Sequence, residues 1–377
     1  MNLKSSFVSH LNKKYPELST EQLNPLISDL LISTHQIQLS SQVLQSIQNE
    51  IKSYWKLRHW GVEHLTPSYE VYGLRKPTNY AACMSYDFHL NSNNELELIE
   101  INTNAAFLAL GLEMYSFFNL PHASPDFSEK SIPDMFQSEI SLTDLKNTNP
   151  TFYILDENPA EQRLYAEFLV YQALLKKYGQ SVEVLNLLDL NQTGPLKTPA
   201  FIYNRYTDFY LQEKKSQQLK TLFNAKKIEL SPNPYEYFLL ADKQRFLDWN
   251  TQTALPRPSS LLPVYDLGRE DKDKIWSERK NLFFKPKTSF GSKQAYKGAS
   301  VSRKIFDEMM TPNFIAQKIS PPPEIDITIN GEVKKMKYDL RCYAYQDQLQ
   351  LVVARLYQGQ TTNLRTEGGG FACCVFN

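Results

Sequence analysis

The sequence predicts a mixed α/β protein (α/β with α+β character), and three observations predict it. Residues 80–102 and 339–356 each read as an antiparallel hairpin, with β-formers alternating with polar residues around a short polar turn. Between them, residues 151–203 read as strand, helix, strand with short connections, the pattern of a parallel α/β sheet. The first 70 residues read as helical instead, and with 377 residues the chain has room for two or three domains and ample core.

The N-terminal stretch 1–70 carries the N-cap signal Ser19-Thr20-Glu21 ahead of Leu23, Leu26, Ile27, Leu30 and Leu31. A second stripe at helical spacing follows in Leu44, Ile47, Ile51, Tyr54 and Trp55. It names no chemistry, and is expected to be a packing or oligomerisation appendage. The hairpin unit 71–120 ends in a helix from Asn104 to about Phe118. Residues 121–150, rich in Pro, Ser, Asp and Asn, read as a linker. The parallel unit is expected over 151–240: TFYILDE a strand, Ala160–Tyr178 a helix stopped by Gly179, then SVEVLNLLDL and PAFIYNRYTDFYL as strands.

Composition narrows the class. Hydrophobic residues make up 42% and charged residues 22%, as in ordinary globular proteins. Lys plus Arg and Asp plus Glu balance at 41 each, so no overall field favours nucleic acid or a membrane surface. The start has no apolar signal core, and the longest apolar stretch, Phe107–Leu120, is short and contains Glu113, so no membrane span is expected. Cys83, Cys342, Cys373 and Cys374 lack metal spacing; a reduced, cytoplasmic protein is expected.

The chemistry concentrates in the two hairpins and the segment before the second. In the first, Glu100 and Asn102 stand two apart and share a strand face, with Asp87 placed to lie opposite. Three hard oxygens at a strand end suit Mg²⁺, although acids on a solvated hairpin face would look the same. Lys243 opens a helix, where a cation sits against the dipole unless it faces a phosphate. Lys285 directly follows the apolar strand Leu282–Phe284, where its charge needs a partner. Thr288-Ser289-Phe290-Gly291-Ser292-Lys293 is a small polar loop able to fold over phosphates, yet neither a P-loop nor a Rossmann fingerprint exists. In the second hairpin, Arg341 and Arg355 occupy adjacent strands and can reach one face; guanidinium forks suit phosphate and oxyanions. Asn363 and Gly368-Gly369-Gly370 follow, glycines that permit close backbone approach to a ligand.

The Asp87…Glu100-x-Asn102 hairpin resembles the magnesium-binding end of the ATP-grasp superfamily, where it comes last. Ala241-Asp242-Lys243, the Lys285-Pro286 strand and Gly-Ser loop, and the Asp-x-Arg, Ala-Arg, Asn, Gly-Gly order after residue 339 resemble the rest of that fold. The order implies a circularly permuted member similar to the glutathionylspermidine synthase-like branch, with a lid subdomain at 241–312 and hinge plus core sheet at 313–377. Joining residue 377 to residue 80 restores the usual order and places the Phe371–Phe376 strand beside the Tyr80–Phe88 strand. The resemblance implies Mg²⁺ on Asp87, Glu100 and Asn102. It implies ATP phosphates on Lys243 and Lys285, with Lys287, Ser289, Gly291 and Ser292 nearby. Gln317, Lys318 and Ile319 would read adenine and Glu324 would bind ribose. Arg355, helped by Arg341, would steady a tetrahedral intermediate. Asn204, Arg205 and Asp208, in a "YNR-x-TDF"-like stretch, with Asn363, Gly368 and Gly369, are the substrate-side candidates. The implied activity joins a small-molecule or peptide carboxylate to an amine or thiol through an acyl phosphate. An ATP-binding module or a phosphotransferase on the same scaffold are the alternatives. The acid and amine are not readable, and a homodimer is an expectation from the resemblance alone.

Overall fold

The computed structural model describes residues 2–190, 196–288, 295–329 and 331–377. Its strands in chain order are β1 (Ile32–Leu39), β2 (Met84–Leu90), β3 (Leu96–Asn102), β4 (Thr151–Asp156), β5 (Val182–Asn186), β6 (Ala200–Asn204), β7 (Ile228–Ser231), β8 (Val264–Asp266), β9 (Leu282–Pro286), β10 (Tyr296–Lys297), β11 (Phe314–Lys318), β12 (Glu324–Ile329), β13 (Glu332–Tyr345), β14 (Gln348–Tyr357) and β15 (Gly370–Phe376). Among the described residues they form three sheets, and the fold is mixed α/β. The central sheet runs β1-β15-β14-β13-β2-β3, with β12 paired to the first half of β13. The order β5-β4-β6-β7 is wholly parallel, and β10-β9-β11-β8 is a small antiparallel sheet.

Both expected hairpins form, for local reasons. The β2–β3 turn is held by the Asn91 side chain, which accepts from the backbone N–H of Asn93 and Glu95, while Asn94 takes a left-handed φ of 59°. The β13–β14 turn uses Gln346 at φ 56°. The long β13 pairs β14 along one edge; on its other edge Glu332–Lys337 pairs β12 and Leu340–Ala344 pairs β2.

Alternation splits the central sheet into two buried faces. Cys342, Ala344, Val352 and Ala354 face the helix Ser41–His64, whose start is capped by the Ser40 side chain. Tyr343, Leu351, Val353 and Phe371 face the helices Leu3–Lys14 and Leu108–Phe118. All four cysteines are free and buried. No helix among the described residues is long and apolar enough to cross a membrane.

Four expectations need correction. Residues 1–70 are not wholly helical: they hold β1, which pairs parallel with β15, and Phe7, Val8 and Leu11 are core. Residues 121–150 are not a bare linker: they hold the helix Ser131–Ser141, with Ile132, Met135 and Phe136 buried. Strand structure in the parallel unit ends at Asn186 and Asn204, and Leu187–Leu190 turns helical. Finally, β15 does not lie beside β2: the arginine hairpin β13–β14 stands between them in the same sheet.

Candidate functional site

Register builds the site. Asp87 lies opposite Glu100 on β3 and opposite Arg341 on β13; Asp339, two residues before Arg341, lies opposite Arg355 on β14. Cross-strand partners share a face, so one charged row crosses four strands, on the face that Tyr343 and Val353 make apolar further along.

The row is tightly bonded. The Asp87 carboxylate accepts from Arg341 Nε at 2.9 Å and Nη2 at 2.7 Å, and from Arg355 Nη2 at 2.8 Å. Arg355 also forks onto Asp339 at 2.8 and 2.7 Å, and the Thr362 hydroxyl donates to Asp339 at 2.7 Å. Asn102 Nδ2 donates to Asp87 at 3.1 Å and to Glu100 at 3.3 Å. Burial alone would raise the Asp87 pKa; the two guanidiniums reverse that and hold the carboxyl well below its usual range.

The small sheet closes over this row. Lys285 on β9 and Gln317 on β11 point to the same face; Lys285 Nζ donates to Gln317 Oε1 at 2.7 Å and to the Ile99 carbonyl at 2.9 Å, and Gln317 Nε2 donates to the Leu98 carbonyl at 3.1 Å. Lys243 stands at the N-terminal boundary of the helix Gln244–Thr251 and is buried beside Glu100. Burial lowers the pKa of both lysines, against the pull of Glu100, and leaves Lys285 at about 8. Between the sheets lies a cleft of about 610 Å³, within the ~300–1,000 Å³ of small-molecule and cofactor sites. One wall carries the buried Ser320 hydroxyl, which has no hydrogen-bond partner among the described residues.

Of the residues anticipated from sequence, Glu100, Asn102, Lys243, Lys285, Gln317, Lys318, Ile319, Glu324, Arg341 and Arg355 line this cleft. Asp87 lies just beneath, 1% exposed. Among the described residues no group of three or more His, Cys, Asp or Glu is arranged to hold a metal, so the oxygen set here is Asp87 and Glu100 with the Asn102 amide. Ser289, Gly291 and Ser292 lie outside the described residues. Lys287 does not line the cleft; its ammonium sits 3.5 Å from Asp266.

The substrate-side candidates take other places. Asn204 accepts from the Tyr206 N–H and Asp208 accepts from Gln212, Glu213 and Ser216, so these two build the turn after β6, while Arg205 reaches across to donate to the Asn104 carbonyl just beyond β3. Asn363 ties its own loop through the carbonyls of Gln358 and Thr361. The close approach of Gly368 and Gly369 is to the chain itself: a Cβ would come within 2.4 Å of Ile329 and 2.6 Å of the Leu356 carbonyl respectively.

Sequence reasoning missed Asp339, His89 and Thr362. Asp339 was visible in the Asp-x-Arg pattern, two before Arg341. His89 has a lowered pKa from burial and bonds the Ser320 carbonyl at 2.8 Å; being two after Asp87 was its only signal.

No family model and no curated protein matches the chain. Solved structures resemble it distantly. A protein from Methylobacillus flagellatus KT, provisionally named gamma-glutamylcysteine synthetase, is 10% identical over 86% of this chain and 85% of that chain, with a TM-score of 0.45. The ATP-grasp ligase PsnB, in complex with a phosphomimetic variant of its minimal precursor, Mg and ADP, is 11% identical over 60% of this chain and 87% of that one, with a TM-score of 0.32. The D-alanine–D-alanine ligase of Bacillus anthracis is 10% identical over 56% of this chain and 73% of its own, with a TM-score of 0.29.

Proposed function

We propose that this chain is an ATP- and magnesium-dependent ligase of ATP-grasp type, circularly permuted, acting in the cytoplasm to join a carboxylate to an amine or thiol. The observation that carries the reading is the convergence of two buried lysines, Lys243 and Lys285, on Glu100 and Asn102 across one cleft, with Arg341 and Arg355 behind them. Two buried cations whose pKa values are driven down by burial fit a polyanion, and the unpartnered Ser320 hydroxyl fits a polar ligand.

Bound Mg·ATP would supply the phosphoryl group that converts a carboxylate into an acyl phosphate. The chain's own residues hold and exclude. Lys285 spends two of its three hydrogens on Gln317 and Ile99, leaving one for a phosphate oxygen. Glu100 and Asn102 would hold the metal directly, since the Asp87 oxygens are committed to arginines. Arg355, fixed by Asp87 and Asp339, presents a preorganised charge where negative charge builds up. Lys318, Ile319 and Glu324, which line the cleft, would take the nucleoside.

The commitment of Asp87 favours a second reading, a nucleotide-binding module without transfer chemistry. One experiment separates them. Mg·ATP at about a hundred times its dissociation constant should stabilise the protein by about 2.7 kcal/mol, and Lys285→Ala and Glu100→Gln should lose that gain. ADP release with pooled acids and amines then supports the ligase; stabilisation without ADP release supports the module. No stabilisation of the parent protein overturns both.

A further inference from the structure

A second cavity, of about 320 Å³, shares no lining residue with the cleft among the described residues. Three segments far apart in sequence build it: Leu30 and Leu31 ahead of β1, Arg163 and Leu164 at the end of the connection leaving β4, and Leu364 and Arg365 in the loop between β14 and β15. Four leucines make its walls apolar. Both arginines are exposed, and neither guanidinium has an ion-pair partner among the described residues. Arg58, Arg75, Arg341 and Arg355, by contrast, are each paired with a carboxylate.

Its place in the fold ties it to the cleft. The third wall belongs to a loop that also forms the cleft. Thr361 and Thr362 line the cleft, and Thr362 donates to the Asp339 carboxylate that holds Arg355. Leu364 is two residues further on, so its Cα is no more than about 7 Å from that of Thr362.

We propose that this cavity binds the carboxylate of a small acid with a short apolar chain, the guanidinium forks of Arg163 and Arg365 taking the carboxylate oxygens and the leucines the chain. As a binding site it stands apart from the ligase reading, since a carboxylate held by these two arginines is not at the phosphates of the cleft. Hexanoate, hexanol and acetate are the probes, measured by thermal shift on the full chain, with Mg·ATP as a separate ligand. Hexanoate should stabilise the protein where hexanol and acetate do not. Arg163→Gln and Arg365→Gln should each weaken hexanoate binding about tenfold or more, with the Mg·ATP shift and the ligand-free melting temperature kept. Hexanol matching hexanoate, or both variants binding hexanoate as the parent does, overturns the site. Arginine-dependent hexanoate binding in a protein that gives no Mg·ATP shift supports the site and removes the ligase reading.

Discussion

At Asp87, burial and charge act in opposite directions. Burial favours the neutral acid, but Arg341 and Arg355, 2.7 and 2.8 Å away, hold the carboxyl near a pKa of 2. Its folded pKa is depressed, so its contribution to stability is present above the unfolded value of about 4 and is lost as pH falls through about 2. Asp87→Asn strips the charge from two guanidiniums' shared partner and should cost about 3–5 kcal/mol at pH 7. Urea unfolding at pH 7 and pH 3 checks this: the gap between variant and parent should be wide at pH 7 and narrower at pH 3. A variant within about 1 kcal/mol of the parent at pH 7 would remove the network from the account of the fold. Lys285 gives the same sign of pH dependence for the opposite reason: there the charged form is the one disfavoured. Burial, with Lys243 nearby, lowers its pKa to about 8. Between that value and the ordinary 10.4 or so, the unfolded chain binds the extra proton, so this group makes stability rise with pH across that window. A phosphate at Lys285 would raise its pKa again. Mg·ATP binding at pH 8 should therefore take up about half a proton, measured as a dependence of binding heat on the buffer's ionisation enthalpy. A binding heat that does not change with the buffer would mean that Lys285 takes up no proton from the ligand.

Whether an element was legible depended on how local its determinants are. Both hairpins carry their pattern and their turn within about twenty residues, and both could be read from that pattern. Strand β1 could not. Its sequence, ISTHQIQL, mixes His35, Gln36 and Gln38 with few apolar residues, and its partner β15 is more than three hundred residues away, so no turn marks it. The helix Ser131–Ser141 was hidden by Pro133, which reads as a breaker yet is tolerated in a first turn, where the lost N–H has no intrahelical partner. The triple glycine was legible as a need for close approach but not as to what approaches. At Gly370 φ is 102°, and a Cβ would stand 2.6 Å from the Leu30 carbonyl, the backbone that leads into β1. Gly370→Ala thus meets both strain and a backbone clash, and should cost about 3 kcal/mol. Denaturant unfolding measures it; a loss under about 1 kcal/mol would mean that the β1–β15 junction is not packed as tightly as its geometry requires.

For the molecule as a whole, the sequence pointed to several residues that line the cleft but not to the sheet order. Asp87, Glu100, Arg341 and Arg355 stand on short-range patterns, and register then brings them into one row. That the arginine hairpin separates β15 from β2, and that β1 closes the far edge, are outcomes of pairing across the whole chain, which no window of sequence contains. The consequence is that the N-terminal segment is part of the core. Phe7, Val8, Leu11 and Leu23 are each 0–1% exposed, packed in the same core as the helix Leu108–Phe118 and Phe371 and Cys373 of β15. Burying such side chains contributes about 1.5–3 kcal/mol each, so four amount to about 6–12 kcal/mol, comparable with the ~5–15 kcal/mol net stability of a typical domain. Removing residues 2–40 would also strip β1 from β15 and expose a strand edge that carries Phe371 and Cys373. A chain beginning at residue 41 should therefore show no cooperative thermal transition and should associate in solution. Calorimetry and light scattering on the truncated protein decide it. If it melts cooperatively within a few degrees of the full chain and stays monodisperse, then the first forty residues are the appendage their helical pattern implied, and β1 contributes little to the sheet it borders.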